Sequence, residues 1–114
     1  MAGWFELHQA KNGQFYFSLK AGNAQTILSS EMYVTRAAAE NGIASVQKNA
    51  AQADRYTKST ASNGKFFFNL KAANHQIIGS SQMYADEASR DKGIASVQAN
   101  GAATEIKNLV APAP

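Results

Sequence analysis

Histidine is the side chain best suited to acid–base chemistry near neutral pH, and this chain has two, His8 and His75. The second half of the sequence matches the first at a shift of 51 residues, which sets His8 opposite Ser59 and His75 opposite Ala24. Neither histidine therefore belongs to a repeated catalytic plan. Cysteine is absent, which removes a thiolate nucleophile, and with two histidines alone a zinc centre is not expected. No HExxH pair, phosphate-cradling GxxxxGK run or GxSxG elbow occurs. Glu6 and Glu31 have no acidic counterpart in the other half, and Glu40 faces Asp91 as an interchangeable surface acid. The expectation is a protein without catalytic residues, cofactor or metal; an enzyme would need a site assembled between the two halves.

The polar side chains that do repeat are Lys20, Asn23, Gln25 and Ser29, matched by Lys71, Asn74, Gln76 and Ser80. As a binding device they would offer two equivalent donor-rich patches to phosphate, a peptide or a sheet edge. As structure, Asn holds a turn, Lys solvates a strand end and Ser closes a strand, and this second reading carries more weight. Tyr16 with Phe67, and Tyr33 with Tyr84, raise the question of base stacking on a sheet. Against it stands a formal charge of only +3, from 11 basic and 8 acidic residues with no run of three, where a dedicated nucleic-acid binder concentrates Lys and Arg on one face.

The elements that must position these residues follow from the repeat. Between Asn12–Asn49 and Asn63–Asn100, 22 of 38 positions are identical without a gap. Trp4–His8 reads as a first strand, and Asn12-Gly13 and Asn63-Gly64 as hairpin corners tolerant of positive φ. Phe15, Phe17 and Leu19 alternate with Tyr16, Ser18 and Lys20, and the second copy repeats this, so one strand face belongs to a core. A turn near Gly22-Asn23 and Ala73-Asn74 leads to third strands over Gln25–Ser29 and Gln76–Ser80, with Ile27 and Ile78 inward. Thr35 and Asp86 share one repeat position and suit the N-cap of a helix. Ala39, Ile43, Val46 and Ala50 form one stripe, matched by Ile94 and Val97. Gly42 and Gly93 sit in mid-helix at about 1 kcal/mol each relative to Ala, which points to close approach of helix to sheet, the alternative being simple inheritance from a duplicated ancestor. Met32 and Met83 are expected to fill gaps in the core, with Tyr33 and Tyr84 anchoring the helices. The first strand is the least faithful element, since Tyr56 and Lys58 replace Phe5 and Leu7, so it is expected to be an edge in one copy and better covered in the other.

A unit of roughly 50 residues is marginal on its own without disulfides or a metal, so the two halves are expected to share one core. The boundaries are 1–51 for the first repeat, 52–110 for the second with a closing strand over Glu105–Val110, and 111–114 for a disordered tail. Absence of cysteine and of a leader-like segment fits a cytoplasmic protein. Two units in one chain favour a monomer, and no apolar run is long enough to span a membrane.

The run Asn12-Gly13-Gln14-Phe15-Tyr16-Phe17-Ser18-Leu19-Lys20-Ala21, then Asn23, Gln25-Thr26-Ile27, Ser29-Ser30, Met32-Tyr33 and Gly42-Ile43-Ala44-Ser45-Val46, resembles the YegP-like family of small bacterial proteins. Asn63–Leu70 and Gly93–Val97 match a second time. The resemblance implies an α+β fold: two tandem β-β-β-α repeats packed as a pseudo-two-fold domain, with an antiparallel sheet and helices on it. It carries no biochemical activity onto any residue. The leading expectation is thus a non-enzymatic interaction or structural module acting through a sheet edge or the repeated polar patches. Weak binding of RNA or single-stranded nucleic acid is the alternative.

Overall fold

The computed structural model describes residues 3–110; the tail read over 111–114 lies outside the described residues. In the first unit β1 (Trp4–Gln9), β2 (Phe15–Lys20) and β3 (Thr26–Ser30) precede helix α1 (Arg36–Asn49). One turn of 3-10 helix (Ala53–Arg55) leads into β4 (Tyr56–Thr60), followed by β5 (Phe66–Lys71), β6 (Ile77–Ser80), helix α2 (Glu87–Asn100) and β7 (Ile106–Asn108). The strands form one seven-stranded sheet in the order β4-β5-β6-β3-β2-β1-β7. All pairs are antiparallel except β1 with β7, which run parallel. The α+β tandem architecture read from the repeat is the observed one.

The pseudo-two-fold passes between β3 and β6, where Ser29 pairs with Ser80. Both helices lie on the same face. Phe5, Phe17, Leu19 and Leu28 from one unit and Phe68, Leu70 and Ile78 from the other join Ile43, Val46, Ile94 and Val97 in a single cluster. A bulge beside Lys20 turns both Ile27 and Leu28 inward, where strict alternation admits only one of them. At the equivalent bulge Ile78 is buried and Gly79 takes the place of Leu28. A Cβ on Gly79 would lie 2.9 Å from the Leu28 Cγ, so the two strands at the axis divide one side chain's volume unequally.

The helices start where the caps predict. Thr35 Oγ1 accepts from the Ala38 amide at 3.1 Å, and Asp86 Oδ1 from the Ser89 amide at 2.7 Å. Tyr33 and Tyr84 do anchor the helices. Each closes a short backbone bridge to Phe15 or Phe66 and stacks on Phe17 or Phe68. A Cβ on Gly42 would lie 2.5 Å from the Tyr33 hydroxyl and 2.8 Å from Phe17, and Gly93 meets Tyr84 in the same way. Met32 and Met83 depart from expectation. They are 51% and 48% exposed, because the tyrosine, one residue on, is the side chain that turns toward the sheet. Arg90, at the stripe position of Ala39, is buried over the Phe66 ring, with its charge met by Glu87 and Asp91.

The two first strands differ as their sequences suggest. β1 is covered by β7, through Phe5 N–H to Glu105 O and Leu109 N–H to Leu7 O, both at 2.9 Å. β4 is the last strand of the sheet on its side, and its Tyr-Thr-Lys-Ser-Thr composition suits an edge.

Candidate functional site

The four hairpin corners share one construction. Asn12, Asn23, Asn63 and Asn74 each use Oδ1 to accept the amide two residues ahead, at 3.0 to 3.1 Å. The residue between has positive φ: Gly13 at 86°, Ala24 at 68°, Gly64 at 83° and His75 at 70°. Asn23, Gln25, Asn74 and Gln76 are therefore parts of turns, Asn through its side chain and Gln through its backbone. His75 occupies the left-handed turn position, and His8 lies on β1. Among the described residues no three His, Asp or Glu side chains group as metal ligands would.

Lys20 donates to Thr26 Oγ1 at 2.6 Å and lies 4.0 Å from Glu6. Lys71 pairs across the sheet with Ile77. Because β3 and β6 run antiparallel about the Ser29–Ser80 pair, the Lys20 corner and the Lys71 corner fall at opposite ends of the strands. Across the two copies, Ser29 and Ser80 alone of the eight repeated polar residues are brought together. Ser80 Oγ donates to Asn69 Oδ1 at 2.6 Å, while Ser29 is exposed. The neighbouring Ser30 and Ser81 are structural. Each hydroxyl accepts the Phe17 or Phe68 amide and donates to the next carbonyl.

What sequence reading did not locate is the face on which these side chains lie. With both helices on one side, the alternate residues of every strand point to a face that no helix covers among the described residues. Its centre is a polar row set by register: Lys107, Glu6, Ser18, Ser29, Ser80, Asn69 and Thr57, one residue per strand from β7 to β4. On one side of the row lie Trp4, Lys20, Thr26 and Phe67; on the other His8, Tyr16, Ile77 and Lys71. His8 and Tyr16 stack with centroids 4.9 Å apart, and Lys107 Nζ sits 4.1 Å from the Trp4 ring centroid. The Trp4 indole N–H donates to Glu6 at 3.0 Å. That bond, then the nearby Lys20, His8 and Lys107 side chains, hold the Glu6 carboxyl below its ordinary 4.5 despite partial desolvation. The face thus carries three lysines, one anchored carboxylate and four aromatic rings. Period-two alternation reveals the outward residues but not which side a helix leaves bare.

The sequence matches the family model described as a domain of unknown function, DUF1508, twice, over residues 10–56 and 61–108. It is 65% identical over 108 residues to the UPF0339 protein YegP of Shigella flexneri, covering 95% of this chain and 98% of that protein. It is 60% identical over 109 residues to a UPF0339 protein of Acinetobacter baylyi, covering 96% and 98%. The solution NMR structure of yegP from E. coli, a protein of unknown function, superposes with a TM-score of 0.93 at 61% identity, over 99% of this chain and 97% of that one. A UPF0339 protein from Shewanella oneidensis gives 0.91 at 56% identity, over 96% and 93%. With two family matches along its length and full-length relatives of this similarity, the chain belongs to the DUF1508 family in its tandem, YegP-like form.

Proposed function

We propose that the protein is a non-enzymatic binding module that works through the uncovered face of its sheet, in the cytoplasm. The observation that carries this reading is the composition of that face. A row of hydroxyl, amide and charged groups crosses all seven strands between aromatic and lysine side chains, while α1 and α2 of the described residues lie on the other side. Such a surface offers directional polar contacts along its middle and apolar rings beside them. Of the candidate acid–base side chains, His75 holds a turn, and His8 lies 3.4 Å from Glu6, whose carboxyl is engaged by the Trp4 indole and Lys20, with no third such group beside them among the described residues. Binding is therefore the better supported role.

A second reading names the occupant as single-stranded nucleic acid. It is favoured by Trp4, Tyr16 and Phe67 standing on the same face as Lys20, Lys71 and Lys107, rings for stacking beside cations for phosphate. Trp4 is the chain's one tryptophan, so its emission reports on this face alone. Titration with single-stranded RNA at low salt should quench Trp4 more than duplex RNA does, with affinity falling steeply toward physiological salt. Lys20→Glu combined with Lys71→Glu should abolish the change while the fold, checked by circular dichroism, is kept. Unaltered Trp4 emission with single-stranded RNA at low salt overturns the nucleic-acid reading.

A further inference from the structure

The two units are built alike but finished differently, and the difference points to a second binding site on the helix side of the sheet. In the first unit the groove between β1 and α1 is occupied by the chain itself. After α2 the backbone crosses α1, where Gln47 Nε2 donates to Ala103 O at 2.8 Å and Ala103 packs against the core. It then lies parallel along β1, bonded to Phe5 N–H and Leu7 O. At the repeat-equivalent place in the second unit the described residues leave a cleft of about 350 Å³ between β4 and α2. Its walls are the counterparts of the covered residues. Gln98 and Ile94 are identical to Gln47 and Ile43, while Tyr56 and Lys58 replace Phe5 and Leu7. Ile43 is 1% exposed and Ile94 9% exposed, which marks the same difference in cover.

From this internal comparison we propose that the β4 edge and its cleft bind an extended peptide segment of a partner protein, laid parallel to β4 as the C-terminal segment lies along β1. The register defines what the peptide meets. Lys58 pairs with Phe68 as Leu7 pairs with Phe17, so its N–H and C=O point away from β5, as those of Leu7 point toward β7. The Tyr56 N–H is already bonded to Ala53 O, so the added ladder starts at Lys58. Gln98 takes a peptide carbonyl as Gln47 takes that of Ala103. An apolar side chain larger than alanine fits the cleft against Ile94 and Tyr56, whose hydroxyl is committed to Ala50 O at 2.6 Å. The Lys58–Asp91 pair, 3.2 Å apart, sits at the rim for a polar neighbour. This is strand addition with one side-chain pocket. It uses the opposite side of the sheet from the uncovered face, so neither proposal depends on the other.

The probe is a synthetic peptide with the sequence of residues 101–110, titrated into the intact ¹⁵N-labelled chain. Shifts are expected at Thr57–Ser59 and along α2 from Asp91 to Gln98, with β7 amides unmoved and no response to a scrambled peptide. Gln98→Ala, on a solvent-accessible helix face, should weaken binding at least five-fold, and Lys58→Pro, which removes the outward N–H, should abolish it. The proposal is overturned if millimolar peptide leaves β4 and α2 unshifted, or if the shifts centre on β1 and β7. It is equally overturned if Gln98→Ala binds unchanged, or if the peptide-free chain self-associates through this edge, which would make the occupant a second copy.

Discussion

Asn23 and Asn74 commit their side-chain oxygens to backbone amides and hold Ala24 and His75 in the left-handed region. For a residue with a Cβ that conformation costs roughly 1–2 kcal/mol. Gly13 and Gly64 fill the same turn position without that penalty. Ala24→Gly should therefore stabilise the protein by about 0.5–1 kcal/mol after the greater freedom of glycine in the unfolded chain is subtracted, read as a higher urea midpoint at unchanged m-value. Glu6 carries a second prediction. Its carboxyl is held below the unfolded value by the Trp4 indole and nearby cations. Its contribution is present above that unfolded value and is lost as pH falls through the lower folded one. Stability measured by urea unfolding should fall below about pH 4.5, and Glu6→Gln should make that acid limb shallower. A glutamine that leaves the limb unchanged would show that Glu6 adds nothing to it.

At the scale of elements, the glycines at mid-helix trade propensity for proximity. An alanine at Gly42 would recover about 1 kcal/mol of helix propensity but drive its methyl into Phe17, which is fully buried, and into the Tyr33 ring stacked on it. Overpacking of this kind costs about 1–3 kcal/mol. Gly42→Ala should come out net destabilising in a denaturant melt; net stabilisation would mean that α1 can lift from the sheet. This contact was legible in the sequence, because a glycine at the same helical position in both copies is an uncompensated local penalty. The N-caps, the alternating strands and the covered and uncovered first strands were legible for the same reason, each resting on local chemistry. The exposure of Met32 and Met83 is not legible in the sequence, because hydrophobicity does not say which of two adjacent residues turns inward at a strand-to-helix junction. The burial of Arg90 is not legible either, because it depends on Phe66, Glu87 and Asp91 together.

At the scale of the molecule, duplication produced one sheet and one core, with both helices on the same side. Lys20 and Lys71 looked like twin patches in the sequence, yet the axis between β3 and β6 sends them to opposite strand ends and joins only Ser29 to Ser80. Where such residues converge is a property of the two-fold, which no single unit displays. The claim that the bare face is the working surface is tested most directly by site-specific photocrosslinking in living cells. A photoreactive residue would stand at Ser29, in the centre of that face, and in a separate variant at Ala44, on the exposed side of α1. Discrete adducts from position 29 and none from position 44 are the predicted result, with nuclease-sensitive adducts identifying a nucleic-acid occupant. Adducts from position 44 alone, or none from position 29, would contradict the account.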